Sequence, residues 1–332
     1  MSEVVVGLDV HLKSTQVTVM KNDLIGEIVK KERVGTSKAE LRRSLESVPK
    51  GSRVALESVG FCWPWIDFLE ELGYEVLLAN PAKVKLRAED IKSDKVDSKT
   101  LAELVRMNWL PTCYVPPADL RWLRSLLRHR AYRTRLSTSV CNRSKSEFRK
   151  RDIRLDVNLG TIKGRKEAMD LDVFEVSQNM ELLDIIDRQS KIVEKMLRSK
   201  YGRVKPVQLL MSVPGIGLLS ALTLYAEICD IKRFLNPEKL AHYAGLVPRV
   251  RQSGEKTRMG RETRGCDKWL KWILIEAAWS HIRFCPEGRL AAVYEDACVR
   301  KRDKTKAIKV VARKLVNVVW YVWTYEKEFM VK

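Results

Sequence analysis

The sequence has few of the residues from which disulfide frameworks and zinc sites are built. Its seven cysteines are scattered and form no CxxC pair, and the whole chain has only four histidines. Structural zinc sites normally use cysteine and histidine at short, regular spacings. The sequence therefore indicates neither a disulfide scaffold nor a structural zinc site.

Long apolar runs and nucleotide-binding loops are missing as well. No run approaches the roughly 18 apolar residues of a membrane-spanning helix, and the N-terminus does not have a basic segment followed by an apolar signal core. These two absences predict an intracellular protein. A GxxxxGK[ST] loop is missing too, which argues against an ATPase on a related fold.

Acidic residues are outnumbered by basic ones. The chain has 62 lysine and arginine residues against 42 aspartate and glutamate, which gives a formal charge of +20. Such an excess favours a polyanionic partner, either nucleic acid or a membrane surface. A length of 332 residues with 45% hydrophobic content is enough for two or three domains with real cores.

The first part of the chain, residues 1–117, alternates between strand-like and helix-like segments. Its first three strands are close in sequence and suit an antiparallel meander, whereas the last two flank a helix, as parallel strands require. This pattern predicts an α/β domain with an RNase H-like sheet. The predicted strands lie near 3–9, 15–20, 25–31, 53–57 and 75–79, and the predicted helices near 37–47, 62–73 and 97–107.

Residues 118–203 have a helical pattern with little glycine, which predicts a helical hairpin or coiled-coil arm. The segment from Arg121 to Arg154 contains twelve basic residues and only two acidic ones. This excess favours nucleic-acid binding over a merely solvated helix face. The candidate contacts are Arg128, Arg130, Arg133 and Arg135, and the apolar face of the second helix is marked by Val176, Met180, Leu183, Ile186, Val193 and Leu197.

Residues 204–332 are again mainly helical and include the segment SVPGIGLLSALTLYAEI at 212–228. This segment is similar to a helix-hairpin-helix element. Gly215 and Gly217 would form a tight turn, and the backbone N–H groups at the start of the next helix would bind a phosphate.

Asp9 lies inside an apolar strand, where a carboxylate is costly to bury unless it is paired, hydrogen-bonded or bound to a cation. Its candidate partners are Glu57, at the end of a second apolar strand, and Asp94 and Asp97, spaced three residues apart. Four converging carboxylates would suit two Mg²⁺ ions about 4 Å apart. Each acid has a simpler interpretation as a helix cap, strand-end acceptor or ion-pair partner, and Asp90 competes for a ligand place.

The segment YAGLVPRVRQSGEKTRMGRETRG, residues 243–265, predicts a phosphate-binding loop. Ser253 precedes a glycine in a basic environment that would stabilise an alkoxide attacking phosphorus. The alternative is an ordinary turn serine. The candidate phosphate contacts are Arg249, Arg251, Lys256 and Arg258.

Taken in order, the motifs GLDVH, ALESVG, KSDKVDSKTLAEL, SVPGIG and YAGLVPRVRQSG, followed by LKWILIEAA, resemble the DEDD transposases of the IS110 insertion-sequence family. The resemblance implies a RuvC-like N-terminal domain, a coiled-coil arm and a C-terminal transposase domain. It also implies that Ser253 is the nucleophile of a phosphoserine intermediate. The implied Mg²⁺ ligands, with Mn²⁺ as the alternative ion, are Asp9, Glu57, Asp94 and Asp97.

The resemblance further implies partners and surroundings. Transposases of this type are recombinases directed by a bridge RNA that pairs with target and donor DNA, and they work as dimers that assemble into tetramers. It implies a prokaryotic cytoplasm, with the protein associated with the nucleoid. The chain departs from the family pattern at Lys95, Ser98, Lys271 and Trp272, none of which is an expected ligand or nucleophile.

Two other functions fit the same residues. A metal-dependent nuclease that resolves Holliday-type junctions would use activated water, with Ser253 in a structural role. A non-catalytic RNA-binding scaffold would use the acids as caps and would bind RNA independently of Mg²⁺. A covalent protein–DNA adduct would separate the recombinase from the nuclease, and the scaffold predicts no strand transfer.

Overall fold

The computed structural model describes residues 3–87, 98–154, 156–253, 256–262 and 265–330, and for residues 86, 87, 249–253, 256–259, 261 and 262 it describes the backbone. The chain divides into two compact units, Met1–Val115 and Pro116–Lys332. The expected division of the second part into an arm at 118–203 and a C-terminal domain at 204–332 stays a prediction.

The first unit is built on a mixed five-stranded sheet. Strand β1 pairs antiparallel with β2 and parallel with β4, β2 pairs antiparallel with β3, and β4 pairs parallel with β5, which gives the order β3-β2-β1-β4-β5. The predicted meander and parallel pair are therefore confirmed, and the sheet is consistent with an RNase H-like fold. The strands are β1 Val4–Val10, β2 Ser14–Lys21, β3 Ile28–Gly35, β4 Arg53–Glu57 and β5 Glu75–Ala79.

Helices cover both faces of this sheet, because its central strands are apolar on both sides. Helices α1 and α2 pack on the face that carries Val6, Leu8 and Leu56, while α4 packs on the face that carries Val5 and Ala55. Successive strand residues alternate between faces, so Asp9 and Glu57 belong to the α4 face. The helices are α1 Lys38–Ser44, α2 Trp63–Glu71, α3 Pro81–Arg87 and α4 Ser98–Arg106.

The predicted position of the third strand is wrong by a few residues. The sequence predicts a strand near 25–31, but Leu24 and Ile25 are exposed and precede the strand. The Asp23 carboxylate accepts hydrogen bonds from the backbone N–H groups of Ile25 and Gly26, and Gly26 has a φ of +69°. Because of this local turn, strand β3 begins at Ile28. The sequence reading also missed helix α3.

A close backbone contact places the start of α4 on strand β1. A Cβ atom at Gly7 would lie 1.9 Å from the carbonyl oxygen of Ser98, so only glycine allows this approach. The hydroxyls of Thr18 and Ser98 also meet at 2.8 Å in the interior. The first residue of α4 is thus held against the strand that carries Asp9.

The second unit is mainly helical and has a large core of its own. Its C-terminal helix packs against several of the others through a continuous buried face that includes Val311, Leu315 and Val319. None of the described helices combines the length and the apolar composition needed to cross a bilayer. The elements are α5 Ala118–Lys150, α6 Ile162–Met169, α7 Phe174–Tyr201, α8 Lys205–Met211, α9 Leu218–Ile228, a 3₁₀ helix Ile231–Arg233, α10 Pro237–Tyr243, β6 Pro248–Ser253, β7 Lys256–Glu262, α11 Lys268–Phe284, α12 Arg289–Lys301 and α13 Lys304–Thr324.

Helices α5 and α7 form the predicted pair of long helices. Asp119 at the start of α5 contacts Lys200 at the end of α7, and Arg151 after α5 contacts Glu175 at the start of α7. The two helices are therefore antiparallel. The six apolar residues predicted for α7 are all buried.

The connection between the two long helices contains a short helix that the sequence reading did not anticipate. Arg165 of this helix, α6, is almost completely buried and donates to Asp187 of α7 at 2.7 Å. The ion pair fastens α6 to α7.

Candidate active site and nucleic-acid interface

Asp9 and Glu57 lie at the carboxyl ends of two neighbouring parallel strands. Leu8 of β1 is in register with Leu56 of β4, so the two acids occupy the next position on each strand. Asp9 is only 9% exposed and Glu57 is half-buried. The sheet therefore brings two of the predicted site residues together on the face covered by α4.

The charges at this edge oppose one another. Burial, followed by the nearby charge of Asp9, raises the pKa of Glu57, while Lys85 and His11 act in the opposite direction. His11 Nε2 lies 3.1 Å from Asp9 Oδ2. A cation bound at this edge would favour the charged forms of both carboxylates.

The other two predicted acids, Asp94 and Asp97, lie outside the described residues, as does their competitor Asp90. Within the described ranges, no group of three or more histidine, cysteine, aspartate or glutamate side chains is arranged to hold a metal ion. The structure thus brings together Asp9 and Glu57 and leaves the rest of the predicted ligand set as a prediction.

His11 is a contact of this site that the sequence reading did not assign. It follows Asp9 by two residues, just beyond the end of β1, and residues two apart on an extended chain share a face. The Asp-Val-His spacing within GLDVH was therefore a readable signal for a histidine beside the carboxylate.

Glu57→Gln is expected to stabilise the metal-free protein at neutral pH. The raised pKa means that the folded state holds the Glu57 proton more tightly than the unfolded chain does. Wild-type stability therefore falls as pH rises from the ordinary value of 4.5 through the raised pKa, and the amide removes this loss. In the presence of a chelator, the melting temperature of Glu57→Gln should be higher than that of the wild type at about pH 7, and the difference should become smaller towards about pH 4.

Glu75→Gln is the matched control for this experiment, since Glu75 is an exposed glutamate on the neighbouring strand β5. It should change the melting temperature little at either pH. A Glu57→Gln protein that melts below wild type at neutral pH would show that the Glu57 charge is well compensated in the folded state.

Ser253 lies in a β-hairpin, so the predicted loop is wrong. It is the last residue of β6, and the register places it opposite Lys256 of β7. Arg251 lies opposite Arg258 in the same ladder. The sequence reading missed these strands because they have few of the apolar residues whose alternation marks a half-buried strand.

The PGIG turn between α8 and α9 is a packing element. Gly215 has a φ of +86°, and a Cβ there would lie 2.4 Å from the backbone nitrogen of His281 in α11. The His281 ring also contacts the Pro214 carbonyl oxygen at 2.8 Å. A Cβ at Gly217 would meet open space, so the start of α9 remains accessible, and phosphate binding by this turn stays a prediction.

The four arginines predicted to bind nucleic acid have different surroundings. Arg128 donates to the buried carboxylate of Glu227 at 3.0 Å, and Arg130 donates to Glu194 at 2.7 Å. Arg133 and Arg135 have no ion pair with a carboxylate of the described residues. Among these four arginines, Arg133 and Arg135 are therefore the two whose charge is not compensated by a carboxylate of the described residues.

Comparisons with known proteins decide the family. A sequence profile for DEDD transposases of the IS110 group matches residues 6–149, which include Asp9 and Glu57. A second profile, for transposases of the IS116/IS110/IS902 family, matches residues 207–295, which include the PGIG turn and Ser253. The chain belongs to the IS110 family of DEDD transposases. An IS110-family transposase is an enzyme that acts on DNA.

Several named transposases are similar to this IS110-family chain over most of their length. A putative transposase y4qE of Sinorhizobium fredii is 23% identical, with 96% of this chain and 88% of the relative covered. The transposase of insertion sequence element IS1111A from Coxiella burnetii is 23% identical, covering 92% and 85%. The transposase of element IS1328 from Yersinia enterocolitica is 25% identical, covering 87% and 88%.

Proposed function

We propose that this transposase is a site-specific recombinase that cuts and rejoins DNA through Ser253, assisted by a metal site built on Asp9 and Glu57. The observation that carries the proposal is the meeting of these two acids at the edge of the sheet. We further propose that the first unit is RuvC-like and that α5 and α7 form the coiled-coil arm of the family.

The residues at the sheet edge fit a divalent cation. A buried Asp9 beside a Glu57 whose pKa is raised forms an oxygen-rich, negatively charged edge, which is the donor set that Mg²⁺ or Mn²⁺ prefers. A divalent cation there would supply positive charge to a bound phosphodiester. Asp9 and Glu57 would hold the ion, and the proposed complete site of two ions would also use Asp94 and Asp97.

The packing of α4 supports the inclusion of Asp94 and Asp97. Ser98, the residue that follows Asp97, lies against Gly7 of β1, two residues before Asp9. The tight contact between Gly7 and Ser98 holds the first residue of α4 against the strand that carries Asp9. A ligand set drawn from β1, β4 and the segment before α4 is therefore geometrically reasonable.

The resemblance to the family implies that Ser253 is the nucleophile, and its register in the hairpin supports this proposal. Residues paired across antiparallel strands belong to one face, so the positions of Arg251, Ser253, Lys256 and Arg258 share a face. The serine hydroxyl would lose its proton as its oxygen forms a bond to phosphorus, and the bond between phosphorus and the departing DNA oxygen would break as that oxygen takes up a proton. In the second step a DNA hydroxyl would lose its proton and attack the same phosphorus, and the bond between phosphorus and the serine oxygen would break as the serine is protonated again, which rejoins the strands.

The RNA partner can be tested directly. If a bridge RNA guides this transposase, protein expressed together with the noncoding ends of its element should purify with one structured RNA from those ends. Sequencing should recover this RNA, and its loops should match the recombined target and donor DNA. Purification free of RNA, with recombination still occurring, would show that the protein selects DNA by itself.

Arg133→Gln with Arg135→Gln is expected to weaken binding to nucleic acid and to flatten its salt dependence. Each lost phosphate contact removes about 0.9 from the slope of log affinity against log salt for duplex DNA. Fluorescence anisotropy at several salt concentrations measures the slope. Lys301→Gln, which neutralises an exposed cation of α12, is the control. An unchanged slope would show that the arginine face is merely solvated.

A further inference from the structure

Helices α5, α9 and α11 line a cavity of about 610 Å³ that belongs to neither the acidic edge nor the hairpin. Its volume falls within the roughly 300–1,000 Å³ typical of sites for small organic groups. Its apolar walls include Leu127, Leu219 and Ile273, and its aromatic wall consists of Trp269 and Trp272. The cavity is thus apolar inside and large enough for a planar organic group.

The two tryptophans form an edge-to-face pair, with ring centroids 5.6 Å apart and planes at 86°. Trp272 is 44% exposed, although it lies beside a buried core. The guanidinium groups of Arg128 and Arg135 lie 5.6 and 5.3 Å from the Trp269 ring centroid. Both cations therefore lie at the Trp269 ring. The partly exposed Trp272 ring can stack against another planar group.

The rim of the cavity has an excess of positive charge. Glu227 and Glu194 compensate Arg128 and Arg130, respectively. Arg135 and Lys268 also line the cavity, and neither forms an ion pair with a carboxylate in the described part of the chain. A ligand with an aromatic ring and a negative charge would therefore match the tryptophan wall and the positively charged rim of the cavity.

We propose that this cavity binds an unpaired nucleotide of a nucleic-acid strand. The base stacks against Trp272, and the adjoining phosphate contacts Arg135 and Lys268. Stacking of bases on aromatic side chains together with cationic backbone contacts is how proteins bind single strands without reading their sequence. The inference rests on the proposed action on nucleic acid and adds a defined contact for single-stranded segments.

The test compares two single-stranded probes of equal length and charge, a 20-mer of thymidylate and a 20-mer of abasic residues. Wild-type protein should bind the thymidylate probe more tightly than the abasic probe. Trp272→Ala should lower affinity for the thymidylate probe by about 5- to 150-fold, the range measured for loss of one stacked base. It should leave affinity for the abasic probe unchanged, and Trp272→Phe should recover much of the loss.

Trp109→Ala, at an exposed tryptophan of the first unit, is the matched control and should bind both probes as wild type does. Circular dichroism establishes that each variant is folded. If Trp272→Ala discriminates between the probes as well as wild type, the cavity does not stack a base. If wild-type protein binds duplex DNA and Trp272→Ala has no effect on single-strand binding, only the inference about the cavity is overturned. If wild-type protein binds no nucleic acid at all, the proposed function is overturned as well.

Discussion

Ser253→Ala is expected to abolish covalent attachment of DNA to the transposase while leaving DNA binding intact. The substitution removes the only oxygen of that side chain, so no bond to phosphorus can form. Alanine is small, and Ser253 ends a strand at the tip of a two-stranded hairpin, so the fold should tolerate it. Wild-type protein, denatured during the reaction with DNA and RNA, should carry a DNA strand that maps to Ser253 after digestion.

Thr257→Ala is the control, because it removes a second hydroxyl from the same hairpin, opposite Gln252. It should retain the adduct. Cleavage without any adduct in wild-type protein would favour a nuclease that uses activated water. A Ser253→Ala protein that still forms the adduct would assign the nucleophile to another residue.

Asp9→Ala and Glu57→Ala are each expected to reduce strand cleavage by about 100-fold or more, since electrostatic stabilisation of the reacting phosphate commonly contributes that much. Folding should survive, because each substitution removes one of two mutually repelling carboxylates. Cleavage assays measure the loss, and calorimetry with Mg²⁺ or Mn²⁺ measures ion binding separately. Both measurements should fall together.

The matched control is Glu75→Ala, an exposed glutamate that begins strand β5 at the opposite end of the sheet. It should cleave DNA at the wild-type rate. Wild-type cleavage by Asp9→Ala or Glu57→Ala would remove that residue from the site, and lost cleavage with intact ion binding would assign it a role in positioning DNA.

Mixed oligomers test whether the two sites work across subunits. An Asp9→Ala protein has an intact hairpin, and a Ser253→Ala protein has an intact acidic edge. If the proposed oligomer joins the acids of one subunit to the serine of another, mixing the two inactive proteins should restore part of the cleavage. Mixed oligomers that assemble but do not cleave would show that each subunit acts alone.

The sequence by itself determined the sheet and the pairing of its strands. Apolar residues in runs of strand length, with a helix between the last two strands, allowed only a few arrangements. Asp9 and Glu57 could be placed near one another on that basis, because the carboxyl ends of neighbouring parallel strands meet at one edge. The buried face of α7 was equally readable from its helical spacing.

Tertiary structure alone decided how the polar and charged residues are used. The hairpin around Ser253 has few apolar residues, so no local pattern marked its strands. Arg128 and Glu227 are 99 residues apart, and their ion pair exists only because α5 packs on α9. The cavity at Trp272 arises from three helices distant in sequence. Local periodicity encodes which face is buried, but the partner of a charge and the shape of a cavity depend on which faces pack together.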